Sequence, residues 1–381
     1  MRGYGSRWPG VLRIVTLALW CCAPLGDTAN ARAQGTQAGA GAIFPPVVEG
    51  RALAFPADTG AHPDFRTEWW YATGWLADDE GVERGFQVTF FRVRTGIGED
   101  NPSRFAPHQL ILAHAALADP AEGRLLHAER SARALEPLAG AGTGRTDARI
   151  DDWTLKLETG GADGTDRYRT RVRADAFAFD LELAAHSAPI LNGRAGYSQK
   201  APDPVNASYY YSRPQLAVTG EIELRGTRRA VRGHAWLDHE WSSELMPAGA
   251  QGWDWIGINL HDGGALMAFR MRDAAGQALW AGGTLGVETG EARILTPEEV
   301  RFQPARHWRS ARTGAEYPIA WQLEIAGRQF ELRALMDDQE LDSRGSTGAV
   351  YWEGAVRLFE HGREVGQGYL EMTGYADRLR M

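Results

Sequence analysis

The sequence contains 381 residues and has a formal net charge of −8 at pH 7. An acidic chain without a basic run is a poor partner for nucleic acid or for anionic lipid surfaces, so these binding classes are excluded. Both cysteines, Cys21 and Cys22, lie near the start of the chain, so the remainder has no thiol with which to form a disulfide.

Residues 1–33 have the pattern of a secretory signal peptide. Arg2 and Arg7 precede an apolar run, and Ala31-Arg32-Ala33 fits a small-x-small cleavage site. This segment carries four arginines and one aspartate, so its removal takes the formal charge from −8 to −11. We therefore expect an exported, periplasmic protein.

The exported chain is expected to begin near Gln34, with residues 34–44 as a flexible leader rich in Gly, Ala and Gln. A lipoprotein anchor at Cys21 is disfavoured, because bulky Trp20 stands where a small residue is expected. No second apolar run approaches the roughly 20 residues that span a bilayer, so the product is expected to be soluble.

The first half of the exported chain shows the two-residue alternation of β-strands. Trp69, Tyr71 and Trp75 share one face of a segment that ends in the turn Asp78-Asp79-Glu80-Gly81. Further strands are predicted at 85–94, 109–117, 153–158, 168–174, 177–184 and 216–224.

The same pattern restarts after the bend at 246–252. Strands are predicted at 252–260, 265–272, 278–287, 320–325, 328–334, 350–360 and 366–373. One helical turn is predicted at Thr296-Pro297-Glu298-Glu299, which has a capping-box pattern with proline at its first position. The fold class is therefore all-β, with two antiparallel barrels or sandwiches at about 45–242 and 243–381.

The segment from His234 to Trp241 concentrates ionisable and aromatic residues. If it is a strand, Leu237, His239 and Trp241 point one way, while Trp236, Asp238 and Glu240 point the other.

In the following strand, Asp254 shares a face with Ile256, Ile258 and Leu260. An imidazole and a carboxylate would then lie on the apolar side of neighbouring strands, where an unpaired charge is costly. His239 and Asp254 are either reactive groups or a buried, mutually satisfied polar pair.

Other motifs are weaker. The aromatic run Trp69-Trp70-Tyr71 fits core packing as well as a ligand site. A zinc site from His234, Asp238, His239 and Glu240 is disfavoured because the two histidines face opposite ways, so no metal is expected.

No cofactor is expected either, because Gly140–Gly144 resembles a nucleotide loop only in its glycines and no helix pattern follows it. A serine hydrolase is disfavoured because Gly196-Tyr197-Ser198-Gln199-Lys200 lacks the second glycine of a nucleophile elbow.

Three tryptophan-rich motifs resemble those of the AttH/CrtC-like family, which includes carotenoid 1,2-hydratases and proteins labelled predicted secreted hydrolases. They are Glu68-Trp69-Trp70-Tyr71, Trp236-Leu237-Asp238-His239-Glu240-Trp241 and Gly252-Trp253-Asp254-Trp255. The resemblance implies two tandem lipocalin-like antiparallel β-barrels, a long apolar ligand such as an isoprenoid, carotenoid or other lipid, and hydro-lyase activity if the protein is an enzyme. The AttH branch also implies the alternative of a non-enzymatic carrier that serves an inner-membrane ABC export system.

The resemblance places catalysis on His239, Trp241 and Asp254. Burial would keep Asp254 neutral as the acid that protonates an alkene, with Trp241 facing the cation and His239 orienting water. Supporting residues would be Glu68, Asp238 and Glu240, and the expected ligand-binding aromatics are Trp69, Trp70, Tyr71, Trp236, Trp253 and Trp255.

Overall fold

The computed structural model describes residues 44–286 and 292–379, and the predicted signal peptide lies outside these ranges. Two antiparallel sheets make up the fold, and the only helical segments described are 3-10 turns at Ala57–Thr59 and Pro297–Glu299. The second turn carries the predicted capping box. The prediction of an all-β protein with two tandem barrels is therefore confirmed.

The first sheet contains thirteen strands. They are β1 (Thr67–Asp78), β2 (Glu83–Arg94), β3 (Gln109–Ala118), β4 (Leu126–Arg133), β5 (Ala139–Ala141), β6 (Asp147–Ile150), β7 (Trp153–Glu158), β8 (Asp166–Arg173), β9 (Phe177–Ala185), β10 (Ile190–Leu191), β11 (Tyr197–Gln199), β12 (Ala207–Leu224) and β13 (Thr227–Ser242). The main path runs β4-β3-β2-β1-β13-β12-β9-β8-β7-β6-β5. Arg130 on β4 donates to the carbonyl of Ile150 on β6 at 3.2 Å, so the ends of the sheet approach each other.

The second sheet contains ten strands. They are β14 (Gly252–Leu260), β15 (Ala265–Arg272), β16 (Ala278–Gly286), β17 (Ala292–Leu295), β18 (Val300–Arg309), β19 (Glu316–Ile325), β20 (Arg328–Ala334), β21 (Glu340–Ser343), β22 (Ala349–Glu360) and β23 (Arg363–Thr373). The main path runs β17-β16-β15-β14-β23-β22-β20-β19-β18. Strand β18 was not predicted, because its residues 303–307 are all exposed and interrupt the alternation of buried and exposed side chains.

Each sheet has an apolar core on its concave side, and a third apolar cluster lies between the sheets. The first core includes Trp70 and Leu237, and the second includes Ile256 and Trp352. The intervening cluster joins Tyr71 and Trp236 of the first sheet to Trp255 of the second. Both faces of β1, of β14 and of the second half of β13 (residues 235–242) are therefore largely buried, and the side chains between the sheets belong to both barrels.

Candidate functional site

Strand β13 presents different chemistry on its two faces. His239 and Leu237 point into the first barrel, whereas Trp236 packs in the cluster between the sheets. Asp238 and Glu240 line a cavity on that second side. The alternation expected from the sequence is present, and the two faces lead to two separate sites.

The imidazole of His239 is fully buried inside the first barrel. Its Nε2–H donates to Oε1 of Glu68 at 2.9 Å, and its Nδ1 accepts from the hydroxyl of Tyr211 at 3.2 Å. The ring of Trp70 stacks on it at a centroid distance of 4.6 Å. Burial lowers the pKa of His239 to about 4, so this imidazole is neutral at pH 7.

A second histidine, which the sequence motifs did not single out, completes this network. His62 donates from Nδ1 to Glu68 at 2.7 Å and from Nε2 to Asp58 at 2.9 Å. Burial lowers its pKa, but the two carboxylates outweigh burial and raise the pKa of His62 above its ordinary value. Its ring stacks on Trp241 with centroids 3.7 Å apart and an interplanar angle of 7°. Trp241 thus faces a histidine ring whose charged form is favoured by two carboxylates.

Glu68 is the hub of the network. Arg92 donates from Nε to Oε2 of Glu68 at 2.7 Å, while His62 and His239 share the other oxygen. Burial alone would raise the pKa of Glu68, but these hydrogen bonds and the charge of Arg92 hold it well below its ordinary value. The prediction that Glu68 supports His239 fits this geometry.

The ligating atoms of His62, Glu68 and His239 lie within 4.8 Å of one another, a spacing that a metal ion could bridge. Each of these atoms already has a hydrogen-bond partner, and Arg92 places a positive charge on the same carboxylate. Each ligating atom of the trio is therefore already occupied by a protein partner. This trio also differs from the zinc alternative considered from the sequence, since Asp238 and Glu240 lie on the other face of β13.

Asp254 lies in a different place from His239. It is buried inside the second barrel, where Oδ2 accepts from Nε of Arg270 at 2.7 Å and Oδ1 accepts from the hydroxyl of Tyr375 at 2.9 Å. Arg272 lies 3.5 Å from Oδ1. The expectation of an unpaired, neutral carboxyl is not met, because Arg270 stands directly opposite Asp254 in the β14–β15 hairpin. An ion-paired carboxylate is a poor proton donor, and His239 and Asp254 do not form a pair.

A cavity of about 400 Å³ lies between the two sheets, and we call it the inter-sheet cavity. Its walls are mostly apolar and aromatic. Four of the six aromatic residues predicted to bind ligand line it, namely Trp69, Tyr71, Trp253 and Trp255. Of the other two, Trp70 packs in the first barrel, and Trp236 donates from Nε1 to Asp238 at 2.7 Å beside the cavity.

The inter-sheet cavity also contains buried carboxyl groups. Asp238 accepts from Tyr210 at 2.6 Å, from Ser212 at 2.5 Å and from Trp236 at 2.7 Å. Burial nevertheless raises the pKa of Asp238 to about 7. Its neighbour Glu240 accepts from Nζ of Lys200 at 2.9 Å.

Two further carboxyl groups come from the second sheet, and the sequence motifs did not identify them. Glu353 on β22 and Glu371 on β23 stand directly opposite each other. Trp253 donates from Nε1 to Oε1 of Glu371 at 2.9 Å. Burial raises the pKa of Glu371 to about 8, and burial together with the neighbouring Glu371 raises that of Glu353 well above its ordinary value.

A sequence signal for this pair was present. Trp352-Glu353-Gly354 and Leu370-Glu371-Met372 each place one carboxyl group in an otherwise apolar strand. Alternation puts Glu353 on one face with Tyr351 and Ala355, and all three are buried. A lone acid on a buried strand face is costly unless it has a partner or a function.

Comparison with known proteins places the chain in a family. Residues 46–375 match the family model described as AttH-like. The chain belongs to the AttH-like family. A crystal structure of an AttH protein from Nitrosomonas europaea is similar, with 51% sequence identity, a TM-score of 0.81, and coverage of 87% of this chain and 99% of that one.

The fold extends to more distant proteins. Kievitone hydratase from Nectria haematococca is similar with a TM-score of 0.64 and 17% identity, over 88% of this AttH-like chain and 97% of that chain. At this identity the likeness concerns the fold. A search of curated protein sequences found no match.

Proposed function

We propose that this AttH-like protein binds a long apolar small molecule in the inter-sheet cavity and hydrates one of its carbon–carbon double bonds. The observation that carries the proposal is an aromatic-walled cavity lined by Asp238, Glu353 and Glu371, three acids without an ion-pair partner among the described residues. Burial raises the pKa of Asp238 to about 7 and that of Glu371 to about 8. Protonating an isolated alkene requires a neutral acid in a dry site, because water would compete for the proton. Ketosteroid-type sites show that an apolar environment can keep a carboxylic acid protonated at this pH.

Glu371 is the proposed proton donor, with Asp238 as the second candidate. In the proposed reaction the carboxylic proton adds to one alkene carbon, and the π electrons leave a cation on the other carbon. The oxygen of a water molecule then bonds to that carbon, and the proton that this water loses returns to the carboxylate. The rings of Trp69, Trp253 and Trp255 line the same space and can face the cation.

The residues predicted from the family motif receive supporting parts in this proposal. His239 and Trp241 lie on the opposite face of β13 from Asp238 and Glu240, within the network that holds the strand. Asp254 lies with Arg270 in the second barrel, next in sequence to the cavity residues Trp253 and Trp255. We propose that these three residues position the cavity walls from behind.

The name of kievitone hydratase supports a hydration reaction on this fold, although its low identity carries no information about the substrate. The proposed ligand class, an isoprenoid, carotenoid or other lipid, is supported by the apolar lining of the cavity. Periplasmic export and service to an inner-membrane ABC transporter are part of the proposal and follow from the predicted signal peptide and the family.

A non-enzymatic carrier is the alternative, favoured by the same apolar lining. Mass spectrometry of what co-purifies with the protein identifies the ligand, and incubation of that ligand in H₂¹⁸O separates the two functions. A hydratase yields an alcohol that contains ¹⁸O, and Glu371→Gln abolishes its formation while ligand quenching of tryptophan fluorescence persists. Glu331→Gln, which changes an exposed acid paired with Arg333, is the matched control and keeps full activity. Release of chemically unchanged ligand after long incubation would contradict the hydratase proposal and support the carrier function.

A further inference from the structure

Glu353 and Glu371 are acids of the inter-sheet cavity that no cation among the described residues pairs with. Most other buried carboxylates of the described chain meet a positive side chain, as in Glu68 with Arg92, Asp254 with Arg270, Asp119 with Arg84, and Glu240 with Lys200. Asp238 has no such partner, but its two oxygens accept three hydrogen bonds from neutral donors. Among the described residues, neither Glu353 nor Glu371 forms an ion pair, and Oε2 of Glu353 has no hydrogen-bond partner. Glu353 is 4% exposed and lines the inter-sheet cavity.

We infer that the Glu353–Glu371 end of the inter-sheet cavity is a subsite for a positively charged group, such as a substituted ammonium, carried by an otherwise apolar molecule. The inference rests on the proposed function for its claim that the cavity is the ligand site. What the inference adds to that function is a positive charge on the bound molecule. This charge belongs either to the ligand or to the cationic intermediate, and Glu353 and Glu371 would recognise it.

Two carboxyl groups in direct opposition cannot both ionise cheaply in a buried site, so they retain protons when the cavity has no cation. A bound cation favours the loss of one of these protons, because its positive charge stabilises the carboxylate that forms beside it. The same electrostatics would favour the cation formed when Glu371 gives its proton to an alkene. One pair of side chains thus serves both as proton source and as counter-charge.

The walls of the subsite fit a cation as well. Trp253 is fixed by its hydrogen bond to Glu371, and the rings of Trp69, Trp255 and Tyr351 line the same cavity as the two acids. Aromatic faces attract quaternary ammonium groups most strongly in desolvated sites. Two cations line the inter-sheet cavity within the described ranges, Arg66 and Lys200. Lys200 has its Nζ at Glu240 and 4.4 Å from the ring centre of Phe269, and Arg66 forms no ion pair with an acid of the cavity.

The competing possibility is that the pair stays neutral, shares a proton and donates a hydrogen bond to a carbonyl or hydroxyl oxygen of the ligand. The two possibilities predict opposite preferences among ligands with the same chain. Octyltrimethylammonium, octanol and octanoate form such a set, with a permanent cation, a neutral hydroxyl and an anion on one alkyl length.

The test is isothermal titration calorimetry of the full exported chain with each of the three compounds. We expect octyltrimethylammonium to bind at least about tenfold more tightly than octanol, and octanoate to bind most weakly. Glu353→Gln and Glu371→Gln are isosteric and remove one carboxyl group each, and both should reduce the cation preference to about threefold or less. Glu331→Gln removes an exposed acid and should leave the preference unchanged.

A proton balance provides a second readout. Titration of octyltrimethylammonium in two buffers of different ionisation enthalpy should show about one proton released per cation bound, and none in Glu371→Gln. The other titratable groups near the pair are Tyr71, Tyr351, Tyr369, Asp238, and Glu240 with its partner Lys200. Equal affinity for octanol and the cation would overturn the inference while leaving the apolar ligand site intact. Failure of all three compounds to bind would overturn both proposals.

Discussion

Glu371 is a residue whose titration should be visible in the stability of the whole protein. Its pKa is about 8 in the folded protein because of burial, against an ordinary value of 4.5. Between these two pH values the unfolded chain releases a proton that the folded chain keeps, so the free energy of unfolding falls as pH rises. The expected slope is about 1.4 kcal/mol per pH unit for this single group.

We predict that Glu371→Gln removes this slope and stabilises the protein at pH 8 relative to the wild type. Urea denaturation at several pH values between 5 and 8, with the difference between the two proteins as the measured quantity, isolates Glu371 from other titrating groups. His239, for example, titrates in the opposite direction, because its lowered pKa reduces stability as pH falls below 6.5. A difference that is flat with pH would contradict the assigned burial of the Glu371 carboxyl group.

Glu68 should show the opposite response to substitution. Its carboxylate accepts from Arg92, His62 and His239, and all of these partners are buried. Glu68→Ala leaves the guanidinium of Arg92 without its partner, and breaking a buried ion pair typically costs about 3–5 kcal/mol. We predict a loss of this size in the free energy of unfolding measured by urea denaturation.

Glu331→Ala provides the reference for Glu68→Ala, because Glu331 forms an exposed ion pair with Arg333. Exposed pairs contribute about 0–1 kcal/mol, so this change should cost little. If Glu68→Ala costs no more than the reference, the Glu68 network contributes nothing to holding β1 against β13.

At the scale of elements, alternation correctly divided the side chains of β13 and β14 into two sets. It could not show which set meets a ligand, because both faces of these strands are buried and each set has an apolar environment. The sequence argument chose the face of His239 and Asp254, whereas the inter-sheet cavity lies on the face of Asp238, Trp253 and Trp255. Alternation assigns residues to faces, and only the packing of the two sheets assigns a face to the cavity.

Long-range partners account for the rest of what the sequence did not predict. Glu68 and His239 are separated by 171 positions and meet only because β1 pairs with β13. The partner of Asp254 was closer, since Arg270 stands opposite it in a simple hairpin. Counting cross-strand positions in that hairpin would have identified the ion pair without a structure.

Substitutions on the two faces of β14 should have different effects, one on stability and the other on ligand binding. Asp254→Asn leaves Arg270 without a charged partner inside the second barrel, so it should lower the free energy of unfolding by about 3 kcal/mol or more. It should leave the affinity for octanol nearly unchanged, because Asp254 does not line the cavity. Trp255→Ala, on the other face, should weaken octanol binding about tenfold or more through the loss of aromatic surface.

Urea denaturation and calorimetric titration of the two variants separate these effects. Each variant serves as the control for the other, since Asp254 and Trp255 are neighbours on one strand. An Asp254→Asn protein that is as stable as the wild type but has lost ligand binding or turnover would restore Asp254 to the direct role predicted from the family motif.

At the scale of the whole molecule, the two sheets share more than a cavity. Trp75 of β1 donates from Nε1 to the carbonyl of Gly368 on β23 at 3.0 Å, and Asn259 of β14 donates to the carbonyl of Ala235 on β13 at 3.0 Å. Arg357 of the second sheet pairs with Glu83 of the first. Within the described part of the chain, no helix is long and apolar enough to cross a membrane. The contacts between the sheets, together with the apolar cluster that contains Tyr71, Trp236 and Trp255, join the two barrels through one shared core.

This shared core predicts that the barrels unfold together. Gly85 lies on the first sheet where an added Cβ would come within 2.6 Å of the hydroxyl of Tyr369 and 2.7 Å of the Cβ of Ala355, both on the second sheet. Gly85→Val should therefore push the sheets apart and destabilise the protein by about 1–3 kcal/mol, the usual cost of overpacking. Because the two barrels share this core, Gly85→Val should lower the temperature of a single unfolding transition. Tryptophan fluorescence, far-UV circular dichroism and calorimetry should all report that transition at the same temperature. Gly282→Ala is the control, since its new Cβ would meet Phe269 at an ordinary 3.4 Å. Two separated transitions, with only one shifted by Gly85→Val, would show instead that each barrel is stable without the other and that the inter-sheet cavity can open without unfolding either.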